Sequence, residues 1–456
     1  MKKYDITIIG AGPGGYIAAI RATQLGGRVC VIEKEHLGGT CLNRGCIPTK
    51  ALLKSAELFY YIQNAGSLGI KVQNITPDVP LIFERKEKII QQLRKGIESL
   101  LKAKKIDVIK GVGKVVSASQ VLVNEEEKIS SKFIILATGS ESLACPGIET
   151  DGKNILTSTD ILNTASIPKS LVIIGGGVIG CEMACFYSQM GSKVHMIEMT
   201  DRALPTEDIE VSKTFLTFLK KRTVEVHLST KVISASVKNK DETIVNLEGG
   251  DIIAEKVLVC IGRRPNSENI GIEEMGIKTE KSGPVVDEYM RTNVSTIFAI
   301  GDLAGKRYLA HTASMEGIVA VENAVGKDGR MDYSVVPNCI FTFPEISSVG
   351  LTEEQATSSG IDAESSKFPF QALGRAVASS QTQGFVKIVF DKKTREVLGC
   401  QIIGPCATEL IAEVSLAIRM QATVKDIANT IHAHPTFSEA IQEAAYASLE
   451  GALHLP

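Results

Sequence analysis

The sequence predicts an α/β fold in which two strand–turn–helix–strand units follow one another and an α+β tail completes the chain. Three observations predict it. A glycine-rich turn follows a short apolar run at Gly10, and the same arrangement returns at Gly175. From about Pro337 the composition shifts, and no further turn of that kind occurs. At 456 residues the chain has room for about three domains. A content of 44% hydrophobic and 22% charged residues is ordinary for a globular protein with buried cores.

The net charge is −2, and no basic or acidic block is long enough to mark nucleic acid or an anionic surface as partner. The opening run MKKYDITIIGAG breaks at Gly10, which is too short for a signal core and far too short to span a bilayer. A cytoplasmic protein is expected. Its ten cysteines show no framework spacing. In reducing cytosol a lasting disulfide is more often catalytic than structural.

In the first unit, residues 4–9 read as a strand, Gly10-Ala-Gly12-Pro-Gly14-Gly15 as the turn and residues 16–25 as a helix. A second strand, residues 29–32, ends at Glu33. This is G-x-G-x-x-G in its full context of strand, turn, helix, strand and terminal acid, the Rossmann-type dinucleotide fingerprint. Gly10 permits the turn, Gly12 lets a pyrophosphate approach the backbone, Gly15 lets helix pack on strand, and Glu33 holds a ribose.

Residues 81–102 carry apolar side chains at helical spacing, which predicts a packing helix. Short alternating segments at 106–109, 114–116 and 120–123 predict a small inserted sheet, with Gly111 and Gly113 as breakers. The next buried strand, residues 133–136, runs into Thr138-Gly139. Open α/β sheets bind ligands at that end of their strands.

The second unit repeats the pattern: strand 171–174, turn Gly175-Gly-Gly177-Val-Ile-Gly180, helix 181–190, strand 193–197 and Glu198. Two such units imply two dinucleotides and a hydride relay between them. An acid at Glu198 favours a free 2′-hydroxyl over a 2′-phosphate, although Arg202 lies close by. Cys181 and Cys185 read as small buried hydrophobes, without further ligands for a metal. Two more strand-to-turn junctions follow, at Gly262-Arg-Arg-Pro-Asn266 and Gly301-Asp302, then a helix whose opening residues include Ala310 and a structural His311.

In the tail, segments 385–390 and 397–403 predict antiparallel strands around a charged turn, with helices at 408–420 and 438–449. His434-Pro-Thr-Phe-Ser438-Glu439 precedes the second helix. Glu439 falls in that helix's first turn, where a carboxylate can orient the His434 imidazole and raise its basicity.

Residues 38–50 read GGTCLNRGCIPTK, with Cys41 and Cys46 five positions apart and Lys50 four beyond. An ideal helix would separate those Cα atoms by about 8.6 Å, and a disulfide needs about 4.4 to 6.8 Å. A bridge therefore requires broken backbone, which Gly45 and Pro48 can supply. Two unpaired thiols in a loop are the other reading.

Taken together, the first fingerprint with Glu33, GGTCLNRGCIPTK, Ala137-Thr138-Gly139, the second fingerprint with Glu198, Ala299-Ile-Gly-Asp302 and HPTFSE resemble the flavoprotein disulfide reductases over nearly the whole chain. The branch most resembled oxidises dihydrolipoamide with NAD. The resemblance implies an FAD domain at residues 1–145, an NAD domain at 146–270, a central segment at 271–336 completing FAD binding and a dimerisation domain at 337–456. It implies FAD contacts from Gly10, Gly12, Gly15, Glu33, Lys50, Gly113, Thr138, Gly139, Asp302 and Ala310. Gly175, Gly177, Gly180, Glu198, Val232 and Gly262 fall to NAD, and so does Glu182, which also pairs with Lys50 beside the flavin ring. Cys41 and Cys46 become a redox disulfide, and His434 with Glu439 the acid–base pair, assisted by Lys50.

The implied partners are a second copy of the chain and a lipoylated acyltransferase or carrier protein of a 2-oxo-acid dehydrogenase or glycine cleavage complex. No metal is implied. Other NAD(P)H-linked disulfide reductases and a non-catalytic assembly component are the alternatives; a glutathione-type enzyme would show basic residues where Glu198 stands, and a mercury-reducing one a cysteine pair at the C-terminus in place of Leu453-His454-Leu455-Pro456.

Overall fold

The structure is a computed structural model that describes residues 2–456. The chain forms two compact units, each discontinuous in sequence: one built from the N-terminus to Ala51 with Leu81–Leu143 and Gly262–Asp332, the other from Leu52–Pro80, Ala144–Ile261 and Tyr333–Pro456. The fold is α/β, with a Rossmann-type sheet in each unit and an antiparallel sheet with helices at the C-terminus.

In the first unit, β1 (Lys2–Ile9) pairs in parallel with β2 (Val29–Glu33) on one side and with strand Glu127–Leu136 on the other. A parallel strand covered on both faces needs a continuous apolar run rather than alternation. Ile6, Ile8 and Ile9 supply it, all buried, and the one polar residue among them, Thr7, is hydrogen-bonded to Ser131 at 2.7 Å. Between β1 and β2 runs α1 (Pro13–Gln24). It starts three residues earlier than the sequence pattern predicted. Proline is accommodated in a first helical turn because its missing N–H has no partner there anyway, so Gly14 and Gly15 are helical rather than part of the turn.

The expected small inserted sheet is corrected by the pairing. Asp107–Lys110 adds in parallel to the free edge of β2. Gly113–Ser117 and Gln120–Val123 form a meander that pairs with the first half of Glu127–Leu136, while Ile297–Ala299 pairs with its last three residues. One ten-residue strand thus carries two neighbours along a single edge. Everything belongs to one sheet.

The second unit holds a five-stranded parallel sheet, in which β3 (Ser170–Ile174) and β4 (Lys193–Ile197) flank one another and β5 (Glu225–His227) closes one edge. Helices α2 (Gly39–Arg44) and α3 (Cys46–Gln63) carry the two cysteines of residues 38–50, and the helix between β3 and β4, α4, spans Val178–Gln189. A three-stranded antiparallel meander, Val232–Asn239, Glu242–Leu247 and Gly250–Ala254, packs Val245 and Ala254 on Val172, Ile174 and Ile197 of the parallel sheet.

The tail forms a five-stranded antiparallel sheet in the order Asn338–Ile340, Glu345–Gly350, Val397–Gly404, Phe385–Asp391 and Ala363–Pro369. Its core joins Phe368, Val386, Ile388 and Ile402 to Ile411, Val414, Ile441 and Ala444 of the helices. Lys387 is buried in this sheet and bonded to Asp208 at 3.1 Å and Glu210 at 2.9 Å. Breaking a buried pair by removing one partner costs about 3 to 5 kcal/mol, so this contact fixes the tail on the helix that Asp208 caps.

Candidate active site

At the end of β1 the chain reverses at Gly10, where φ is +106°. A Cβ there would stand 2.2 Å from the Ala137 carbonyl oxygen, so no other residue fits. Gly12 then caps α1 without any side-chain hydrogen bond, leaving the helix end to backbone amides. Helix Ala310–Ala324 also begins without a side-chain cap. Its first turn lies against that of α1: Ser314 Oγ donates to the Pro13 carbonyl at 3.4 Å, and a Cβ on Gly14 would stand 2.9 Å from the Ala313 carbonyl oxygen. Two helix N-termini therefore meet in one corner, and both favour an anion.

The stretch that carries Cys41 and Cys46 is fastened to the same corner. Gly38 N donates to the Ala11 carbonyl at 2.8 Å, and Gly39 lies so close to Gly12 that a Cβ on it would come 2.6 Å from the Gly12 Cα. Beyond it, α2 stops at Arg44, Gly45 leaves the helical region at φ −147°, ψ −112°, and α3 starts at Cys46. The helix is thus broken between the cysteines, at the glycine where the spacing required a break. Both stand as half-buried thiols, with Cys41 hydrogen-bonded to Cys46. That contact, and burial after it, hold the Cys41 thiol well above its ordinary 9.0, while the Lys50 charge opposes the shift. Lys50 sits one helical turn along α3 from Cys46, on the same face.

Glu33 closes the corner from β2. Its Oε2 accepts from Ala11 N at 2.8 Å and its Oε1 from Glu35 N at 2.7 Å, which fixes the carboxylate across the mouth of the turn. Thr138 Oγ1 donates to the Asn266 carbonyl at 2.7 Å, and Asn266 N donates to the Gly139 carbonyl at 2.9 Å. Gly262 starts this returning segment and belongs to the first unit, with Thr138 and Asp302, rather than to the unit of Glu198 and Val232. Gly113 is buried at the head of its strand, in contact distance of Ile9 and Ile32. Ala310 opens its helix one turn before Ser314.

Ser140 and Glu316 of this unit escaped the sequence reading, and Arg263 was named there only as part of the Gly262-Arg-Arg-Pro-Asn266 junction. Ser140 links Asp302 to Arg263: its hydroxyl bonds to Asp302 Oδ2, and Arg263 donates to Ser140 Oγ at 2.7 Å and to its carbonyl at 2.8 Å. Burial raises the Asp302 carboxyl above its ordinary range, against the Ser140 bond and the Arg263 charge. Glu316 is fully buried and accepts from Gly301 N at 2.6 Å, which ties the Asp302 turn to the helix of Ala310. The one sequence signal was the paired arginine after Gly262.

The second unit repeats the first. Gly175 has φ +114°, Gly177 caps α4 without a side-chain bond, and Glu198 Oε2 accepts from Gly176 N at 2.7 Å, as Glu33 does from Ala11. Gly180 takes the place of Gly15: a Cβ on either would come within about 2 Å of the carbonyl oxygen of the turn's first glycine. Val232 begins the meander that packs on this sheet. Glu182, on α4, is buried and accepts from Phe341 N at 3.0 Å. Arg202 pairs with Asp201 at 3.8 Å. Cys181 and Cys185 are fully buried, in keeping with a packing role.

In the tail, His434 Nδ1 lies 2.9 Å from Glu439 Oε1, and Glu439 Oε2 accepts from Thr436 N at 2.8 Å. Burial works to raise the Glu439 carboxyl, but the His434 bond and the Thr436 amide outweigh it and hold it below its ordinary range. A second pair, missed in the sequence, lies two residues upstream: His432 Nε2 contacts Glu413 Oε1 at 2.8 Å, and its Nδ1 contacts the Thr430 carbonyl at 2.8 Å. The alternation His432-Ala-His434 was its only trace.

With this geometry in place, comparison with known proteins defines the class. Residues 4–317 match the pyridine nucleotide-disulphide oxidoreductase family and residues 336–445 match that family's dimerisation domain. The chain belongs to this family, and the dimerisation domain marks it as a homodimer. Within the family, it is 43% identical over 470 residues to the dihydrolipoyl dehydrogenase of Bacillus subtilis (strain 168), covering 99% of both chains. It is 42% identical to the mitochondrial dihydrolipoyl dehydrogenase of Pisum sativum, over 99% of this chain and 92% of that one. Among solved structures, LpdA from Mycobacterium tuberculosis superposes with a TM-score of 0.91 at 27% identity, over 98% of this chain and 99% of the other. The HOCl-induced flavoprotein disulfide reductase RclA from Escherichia coli gives 0.87 at 29%, over 97% and 99%. No helix among the described residues is long and apolar enough to cross a membrane.

Proposed function

We propose that this protein oxidises a dihydrolipoyl dithiol to its cyclic disulfide, with NAD as the final acceptor and FAD bound tightly and without a covalent bond. The observation that carries this reading is the fastening of the Cys41–Cys46 stretch onto the fingerprint turn at Gly12 and Gly39. Bound FAD supplies a two-electron relay between that dithiol and NAD.

The residues present fit both groups. In the first unit, two uncapped helix N-termini suit a pyrophosphate, Glu33 suits a ribose, and the buried Thr312 hydroxyl at the head of helix Ala310–Ala324 has no partner among the described residues. In the second, the uncapped end of α4 and Glu198 repeat the arrangement for NAD, and an acid there disfavours a 2′-phosphate. On this reading residues 1–145 with 271–336 serve FAD and 146–270 serve NAD, although the part from Gly262 on folds with the first unit, and 337–456 pair the subunits.

The chemistry of the chain's own residues follows. In the oxidised enzyme Cys41 and Cys46 are joined. His434, fixed through Nδ1 by Glu439, takes a proton from one substrate thiol, because the thiolate is the attacking species and a thiol near pKa 8.5 supplies little of it at neutral pH. That sulfur attacks Cys41; a substrate–Cys41 bond forms, the Cys41–Cys46 bond breaks, and Cys46 leaves as a thiolate. The second substrate thiol gives its proton to solvent and attacks the substrate sulfur of the mixed disulfide, releasing Cys41 with the bonding pair. The substrate has lost two electrons and two protons, and the cysteine pair has gained the two electrons. Lys50, one turn from Cys46, stabilises the thiolate charge.

In the homodimer each site takes Cys41 and Cys46 from one chain and His434 with Glu439 from the other. The dithiol reaches the site on a lipoylated acyltransferase or carrier protein in the cytoplasm. The test is the NAD-linked oxidation of dihydrolipoamide. The wild type should turn over, Cys46→Ser should not, and Cys46→Ser should keep its FAD; wild-type turnover by Cys46→Ser would reject the cysteine route.

A further inference from the structure

We propose that His195, Glu225 and His227 form a divalent transition-metal site at the edge of the second parallel sheet, of the kind that takes Zn2+.

The register of the strands builds it. β4 and β5 run parallel, with His195 opposite Glu225 and Ile197 opposite His227. Because side chains alternate with period two, all three polar residues fall on one face of the sheet. His195 Nδ1 lies 3.3 Å from His227 Nε2 and 3.4 Å from Glu225 Oε2, and one ligand atom from each of the three residues lies within 4.8 Å of the others. Two ligands bound at about 2.05 Å and separated by the tetrahedral angle stand about 3.3 Å apart. The spacing is that of adjacent corners of a zinc tetrahedron.

Hydrogen bonding accounts for the cluster poorly. Both separations exceed the usual 2.7–3.2 Å range. A neutral imidazole carries one N–H, so His195 Nδ1 can serve only one of its two neighbours at a time. A cation at the common point engages all three lone pairs together. Lys193 Nζ occupies the other carboxylate oxygen, Glu225 Oε1, at 3.2 Å, which leaves Oε2 for the ion. Two imidazoles and a carboxylate suit zinc and its late first-row neighbours better than calcium or magnesium. His195 is 10% exposed and Glu225 50%, so the site is walled on the sheet side and open to water for a fourth ligand.

The site has a structural consequence. β5 is a three-residue edge strand, and the segment it leads into holds the backbone of Glu198: Glu198 N donates to the His227 carbonyl at 2.9 Å, and Thr230 N donates to the Glu198 carbonyl at 3.0 Å. A cation joining β4 to β5 fastens that edge.

The experiment uses oxidised, FAD-loaded dimer stripped with a chelator, so that the joined Cys41 and Cys46 cannot capture metal. Equilibrium dialysis against Zn2+ should show one more zinc per chain in the wild type than in His227→Gln. Glu225→Gln, at a half-exposed position where folding is not at stake, should weaken that zinc more than about tenfold, since even the outer partners of metal ligands are worth that much. Zn2+ should also raise the melting temperature of the wild type and not of His227→Gln. Equal zinc uptake by the wild type and Glu225→Gln, or no zinc bound at this stoichiometry, overturns the site.

Discussion

His434 Nδ1 stands 2.9 Å from Glu439 Oε1, and the two side chains differ sharply in exposure: 76% for the imidazole and 19% for the carboxylate. The anchor is held inside the fold, and the ring is presented outward to meet a group from elsewhere. As the general base of the proposed reaction, His434 should be worth about 10²- to 10⁴-fold in rate. His434→Gln should lower kcat with dihydrolipoamide by that order and keep its FAD. Glu439→Gln should lower it less, since the imidazole remains. An unchanged kcat in His434→Gln would assign the proton to another group.

The outward ring shares the tail with large exposed apolar side chains: Ile431 is 94% exposed, Met420 70% and Leu416 63%. The dimerisation domain that carries them is where a second copy of the chain would cover such side chains. If, as proposed, each site draws on both chains, one contact of a two-fold dimer completes both active sites. Mixing inactive Cys46→Ser chains with inactive His434→Gln chains by unfolding and refolding should restore activity, because a heterodimer gathers both lesions in one site and leaves the other intact. Absence of activity in a mixture shown to contain flavin-loaded heterodimers would place base and cysteines on one chain.

Glu198 Oε2 is fixed by Gly176 N at 2.7 Å and Oε1 by Thr200 N at 2.8 Å, so the carboxylate has a defined position at the end of β4. kcat/KM should be higher with NAD than with NADP, and Glu198→Ala should narrow the gap. Equal use of both by the wild type would mean that a cation such as Arg202 dominates recognition.

His432 carries a pH signature. Its hydrogen bond to Glu413 first, and the Thr430 carbonyl after the opposing effect of burial, raise its pKa above the ordinary 6.5. A group whose pKa is raised by folding stabilises most when protonated in both states. The contribution is therefore complete below about pH 6.5 and is lost as pH rises through the folded value. The melting temperature of the wild type should exceed that of His432→Gln most at pH 6, and the difference should shrink toward pH 9. A difference that grows with pH would contradict the charged pair.

The two dinucleotide turns were legible because their constraint is local: Gly10 and Gly175 need φ above +100°, and Glu33 and Glu198 lie about twenty residues on, where the next strand ends. The helix break at Gly45 was equally local. Strand partners were not. Alternation in Gly113–Ser117 and Gln120–Val123 says that each is a strand but not which edge it joins, and Asp107–Lys110 went to the other side of the sheet. The Ser140–Arg263–Asp302 group was hidden for the same reason, because its members are more than a hundred residues apart for two of the three pairs and meet only after the sheet has closed. His195 and His227, on neighbouring strands, likewise come together only through register.

Reduction of the Cys41–Cys46 pair by a dihydrolipoyl dithiol beside a bound flavin can be followed most directly by titrating the FAD-loaded, oxidised protein anaerobically with dihydrolipoamide and recording its absorption spectrum. A long-wavelength band from thiolate beside flavin should appear, reach its maximum near one equivalent, be absent in Cys46→Ser, and disappear when excess NAD reoxidises the protein. A wild-type spectrum that does not change on adding dihydrolipoamide, or the same band in Cys46→Ser, would contradict that reduction.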